Sequence, residues 1–227
     1  MPIGFRAGFV GALLSVLPML AGAQTTPATP PGAAAPQPVA TTHVDGFRSA
    51  KWGMTEAQVK AAIRADFNIA EDKLKSTENP TEKTQVLTIV VPGLLGGGGN
   101  AQVSYILGFA SQKLIQVKVV WSTMLDPLDT PQKIVAAADQ LRTLFLGAGY
   151  DPRTIAVNTK MADGSILVFE GQDADKHTTL LHLATGTART IDKDGKPGTP
   201  VAVAALSLSY ILDARNPDIF RLKKGSL

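Results

Sequence analysis

The chain of 227 residues contains no cysteine. That absence excludes disulfides, thiolate nucleophiles, cysteine metal sites and a lipidated cysteine anchor. Charged residues make up only 18% and the net charge is +3. So small an excess supplies no electrostatic footprint for nucleic acid. No G-x-S-x-G elbow and no H-E-x-x-H helix occurs, which removes the most recognisable hydrolase and zinc-protease arrangements. Beyond the first two dozen residues, no run is long and apolar enough to span a bilayer, which takes about 20 residues.

What is present begins at the N-terminus. Arg6 supplies a short positive region, and Ala7 to Leu20 are apolar apart from Gly8, Gly11, Ser15 and Pro18. Ala21-Gly22-Ala23 follows as an A-x-A cleavage site before Gln24. This order reads as a secretory signal peptide over residues 1–23. No Arg-Arg pair precedes the apolar stretch, so the general secretory route is expected over the twin-arginine one. The expected location is periplasmic or secreted, with no stable membrane insertion after cleavage between Ala23 and Gln24, where Ala21 and Ala23 are the small residues of the site. Residues 24–43 hold Pro27, Pro30, Pro31, Pro36 and Pro38 among Ala, Thr and Gln. Such a segment cannot bury a core and reads as an extended, disordered linker. Arg221, Lys223 and Lys224 read as a solvated basic tail, because short basic clusters hold membranes only weakly.

The folded part is expected over residues 44–227. Thr55 and Gln58 form a T-x-x-Q capping box, and Met54 with Val59 a hydrophobic staple. Val59, Ala62, Ile63 and Phe67 then recur at helical spacing. Strands are predicted at Gln85 to Val91, through Val103, Tyr105, Leu107 and Phe109, and through Ile115, Val117, Val119 and Trp121. A second helix starts at Thr130-Pro131, carries Ile134, Ala137, Ala138, Leu141, Leu144 and Phe145 on one stripe, and stops at Gly147 and Gly149. Further strands are predicted at Thr154 to Lys160, Ser165 to Glu170, Thr178 to Leu183 and Val201 to Leu212, with Asp163-Gly164 as a hairpin turn. The order helix, three strands, helix, four strands predicts an α+β class of two αβ units, 44–125 and 126–215, with helices packed on antiparallel sheet.

Phe47-x4-Trp52-Gly53-Met54-Thr55, leading into a capped helix, resembles the opening of domains in exported bacterial envelope proteins. Tyr105 through Lys113-Leu114 to Trp121, and the helix ending at Leu146-Gly147, fit the same pattern. The fold this implies is similar to the β-lactamase inhibitor protein and to the small lipoprotein of the outer-membrane β-barrel assembly machine (BamE-like). Neither relative brings a catalytic site to transfer. The chain departs from both in having no cysteine. The resemblance implies a protein-binding surface on the sheet. On the residues alone, Trp52 reads as packing under the helix and Gly53 as relieving a tight backbone.

Gly93 to Gly99 is glycine-rich, yet Asn100 and a strand follow where a phosphate loop needs Gly-Lys-Ser/Thr and a helix. Asp192-Lys193-Asp194-Gly195 misses acidic residues at both ends of a calcium loop, Thr190 and Val201. His177 and His182 are five apart on one strand and point to opposite faces, so they cannot share a metal. Asp173 and Asp175 near His177 are a carboxylate pair that a hydrolase reading can use, among carboxylates scattered along the chain. The function expected from the whole is an exported, non-enzymatic protein that binds another envelope protein as accessory, inhibitor or assembly factor, with no cofactor. A small-ligand carrier or sensor is the alternative, and a hydrolase ranks third.

Overall fold

The computed structural model describes residues 39–96, 99–126, 129–189, 195–196 and 198–222. A two-residue hairpin, β1 (Gly46–Phe47) and β2 (Ala50–Lys51), precedes α1 (Glu56–Phe67). Four strands follow: β3 (Lys75–Glu78), β4 (Gln85–Pro92), β5 (Asn100–Leu107) and β6 (Leu114–Ser122). Then come α2 (Pro131–Leu146) and β7 (Ala156–Lys160), β8 (Ile166–Gln172), β9 (Thr178–Ala188) and β10 (Val201–Ile211).

The two-unit α+β arrangement is corrected here. The fold is mainly β: one antiparallel sheet of eight strands in the order β3-β4-β5-β6-β10-β9-β8-β7, plus the small β1-β2 pair, with two α-helices among the described residues. Instead of closing two units, β10 pairs antiparallel with β6, Ala205 facing Ser122 and Leu208 facing Val119. The chain thereby makes one continuous sheet. β3 is a strand the sequence pattern missed, because Lys75, Ser76, Thr77 and Glu78 are all exposed and show no apolar alternation.

Local chemistry explains the elements. In α1, Gln58 Oε1 accepts from the Thr55 backbone N–H at 2.9 Å, the returning bond of the capping box. The helix buries Val59, Ala62 and Ile63 and ends at Asn68 in the left-handed region, with its N–H on the Arg64 carbonyl. Thr130 caps α2 by accepting from Lys133 N, and Pro131 occupies the first helical turn. Ile134, Ala138, Leu141 and Phe145 line its buried stripe, which lies on β8, β9 and β10. Phe145, Tyr150 and Phe169 form an aromatic cluster with centroids 5.2–6.1 Å apart.

The strands alternate cleanly. Leu87, Ile89, Val103, Tyr105, Val117, Val119, Leu206 and Leu208 face the core. A register shift between Ile106 and Leu107 interrupts the β5-β6 ladder. The alternation read through Phe109 and Ile115 therefore breaks: Phe109 is exposed, Leu114 takes the buried place and Ile115 is only half-buried. An extra residue in one strand flips the faces that follow it.

Candidate functional site

The helices cover one face of the sheet. Residues pointing the other way, among them Gln102, Ser104, Lys118, Val120, Ala205 and Ser207, stay partly open to solvent. At one end of this open face the chain after β10 folds back. Phe109 N donates to Asp218 O, Phe220 N donates to Glu82 O, and the Phe109 and Phe220 rings meet edge to face at 5.4 Å. Asp218 clamps the turn after β5 by accepting from Ala110 N and Ser111 N at 2.9 and 2.8 Å. Its bonds to Ser111 hold this carboxyl below the usual carboxylate range. Between the returning segment and the sheet lies a cleft of about 520 Å³ floored by Ile106, Ile115, Leu180, Ile211, Leu212 and Ile219. That size and apolar character suit a small ligand or a few side chains of a partner.

The F-x4-W-G-M-T motif lies on the covered face and is structural in its contacts. Phe47 stacks on Tyr210 at 6.1 Å and leans on Tyr105 at 6.4 Å. Trp52 packs partly buried against the core; its Nε1 donates to Val44 O at 2.6 Å and its ring meets His177 at 5.9 Å. Gly53 has φ +77° with open space around its missing Cβ, and its N–H reaches Leu114 O. Positive φ is why glycine stands there. Met54 is half-buried against the core and its carbonyl accepts from Leu114 N. Thr55 is the helix cap.

Asp173 is the carboxylate the structure uses most. Its side chain has no solvent exposure. Oδ1 accepts from Asp175 N and His177 N at 2.9 and 2.8 Å; Oδ2 accepts from Val44 N at 2.6 Å and meets His177 Nδ1 at 3.1 Å. Residues 39–45 are thus strapped to the turn between β8 and β9, helped by Ala174 N on Thr42 O and by Thr41 N and Thr42 N on Gly149 O. At the rim, His43 Nδ1 meets Asp175 Oδ2 at 2.7 Å. Asp173, Asp175 and His177 offer ligand atoms within 4.8 Å of one another, but both Asp173 oxygens are already surrounded by N–H donors. A carboxylate so saturated is a structural knot and no general base.

His182 lies elsewhere, within β9, while His177, expected on the same strand, sits just before it. Its Nε2 meets Ser165 Oγ at 2.8 Å, and Ser165 Oγ also bonds Asp163 in the β7-β8 turn. Serine, histidine and aspartate are together, yet wired unlike a catalytic triad. In a triad the acid orients the imidazole and the imidazole takes the serine proton. Here the Ser165 hydroxyl donates to Asp163 and has only its lone pairs left for His182, so His182 Nε2 is the donor. The bond from Ser165 also keeps Asp163 below its ordinary pKa. Ser165 is buried besides. Sequence inspection missed this trio, whose only local sign was the D-G-S turn.

Of the other sequence-predicted positions, Ala21, Ala23, Gln24, residues 97–98 of the glycine run, residues 192–194 and Lys223-Lys224 lie outside the described residues. Among the described residues no helix is long and apolar enough to cross a membrane. Comparison of the chain with family models, curated proteins and solved structures found no match to any of them.

Proposed function

We propose that the protein is an exported, non-enzymatic binding protein that holds another envelope protein on the open face of its sheet. The observation that carries this reading is the eight-stranded sheet with one face left partly open to solvent. Eight strands about 4.8 Å apart, averaging about eight residues at about 3.3 Å each, span on the order of 1,000 Å². A standard interface takes roughly 800 Å² from each partner. Recognition through the face is favoured over strand addition, because both edges are blunted. β3 presents exposed Lys75 and Glu78, and β7 is interrupted at Asn158, where φ is +52°. The envelope-domain resemblance of residues 47–55 points the same way, and the leader reading of residues 1–23 supplies the compartment.

The test is a crosslinked capture from native envelope extract with the parent and with a Val90→Asp, Lys118→Glu double variant. Val90 is 48% exposed and Lys118 is exposed, so both should fold alike. One partner at near-equal stoichiometry, lost in the double variant, supports the reading; a partner kept by the variant sinks it.

The cleft beside residues 211–219 favours a second reading, a carrier or sensor of a small apolar ligand. A thermal-shift screen with lipids and metabolites tests it. A hit abolished by Leu180→Asp, with no captured protein, would replace the first reading by the second.

A further inference from the structure

At the far end of β6 from the motif, two aspartates are buried together. Asp126 is 7% and Asp129 6% exposed. Asp126 Oδ2 accepts from Asn100 N at 2.9 Å, and Asp129 N bonds the Asp126 carbonyl. Asp129 Oδ2 is fully buried and has no hydrogen-bond partner, and Asp129 joins no ion pair among the described residues. The backbone at Gly99 closes the site. A Cβ on Gly99 would stand 2.5 Å from Asp126 Oδ2 and 2.7 Å from Asp129 Oδ2, so the two oxygens are no further apart than those distances together. Only glycine lets the chain pass there.

We propose that Asp126 and Asp129 form a calcium site. A buried carboxylate oxygen without a donor is costly, and a second carboxylate beside it adds repulsion. The N-terminus of α2, next to Asp129, favours negative charge, but that dipole offsets less than the desolvation of one buried carboxylate. A divalent cation between the two oxygens cancels both costs. The donors are oxygen only, which selects a hard ion. Calcium completes an irregular set with water and carbonyls, whereas magnesium demands a near-ideal octahedron. Two carboxylates place the affinity near that of weak extracellular sites, with Kd on the order of 0.1–1 mM.

The experiment strips the full chain with EDTA and titrates calcium chloride, reading heat and melting temperature. The expected result is one saturable site and a Tm rise of roughly 3–10 °C at about 10 mM calcium. Asp129→Asn removes the charge at constant shape; it should melt no lower than the metal-free parent and lose the calcium response. Gly99→Ala, filling the gap, should also lose it, and serves if Asp129→Asn fails to fold. Asp175→Asn, at the other acidic corner, should keep it. No saturable binding by the parent, or a response retained in Asp129→Asn and Gly99→Ala, overturns the proposal. So does a response lost only in Asp175→Asn.

Discussion

Replacing Asp173 by asparagine tests the knot that straps residues 39–45 to the sheet. The side chain is fully buried and each oxygen serves two partners. Asparagine keeps one carbonyl oxygen, best turned to Asp175 N and His177 N within the turn. Its NH2 then faces Val44 N–H, a donor against a donor. Hydrogen bonds to a charged acceptor contribute about 1.5–3 kcal/mol each, and a buried donor left unpaired costs about 1–3 kcal/mol. The sum expected for Asp173→Asn is about 2–4 kcal/mol, after relaxation lets His177 Nδ1 meet the new amide. For a domain of this size that is a fall of roughly 5–15 °C in Tm. Part of the loss can be local opening of the strap, so amide exchange at Thr41, Thr42 and Val44 is read beside the melting curve. Asp175→Asn is the control: its pair with His43 is over half exposed on both sides, where solvent screens most of the attraction. A loss under about 1 kcal/mol in Asp173→Asn with Val44 exchange unchanged, or an equal loss in both variants, would refute the reasoning.

Two further outcomes follow from named contacts. Ser165→Ala should lower stability by about 1 kcal/mol, because it removes one net hydrogen bond inside the Asp163–Ser165–His182 trio; any hydrolytic activity found should survive it, and its abolition would restore serine as a nucleophile. The hydrogen bond and charge of Asp175 raise the His43 pKa above the ordinary 6.5. A raised folded-state pKa makes this contribution complete below pH 6.5 and loses it as pH rises through the higher folded value; strap protection should fall across that window and become flat in His43→Gln, as read by amide exchange against pH.

Local features of the chain were legible where short-range rules operate. Thr55 with Gln58, Pro131 after Thr130, and the Asp163-Gly164 turn all involve residues within one helical turn or one hairpin, and each stands where the pattern put it. The alternation of β4, β5 and β6 was also readable, since burial of one face imposes period two on the chain. Reading failed where a distant partner decides. The exposed edge strand β3 has no apolar signal and exists because β4 offers it a ladder. The Ile106/Leu107 register shift moves Leu114 inward and Ile115 outward, and no composition rule marks it.

Function-related features divide the same way. The spacing argument for His177 and His182 assumed one shared strand, whereas β9 begins at Thr178 and leaves His177 just before it. Their partners came from the tertiary structure: Asp173 holds one and Ser165 the other. Asp126 and Asp129 look like ordinary loop carboxylates in sequence; only the approach of Gly99 and Asn100, from a different strand, makes them a buried pair. By itself the sequence determined the two capped helices and most strand faces, because those depend on neighbours along the chain. The joining of β6 to β10 into one sheet, the open face it leaves, and the cleft under residues 211–219 were decided by tertiary structure. Strand pairing is a contest among all exposed edges, and hydrogen bonds between backbones carry no residue code.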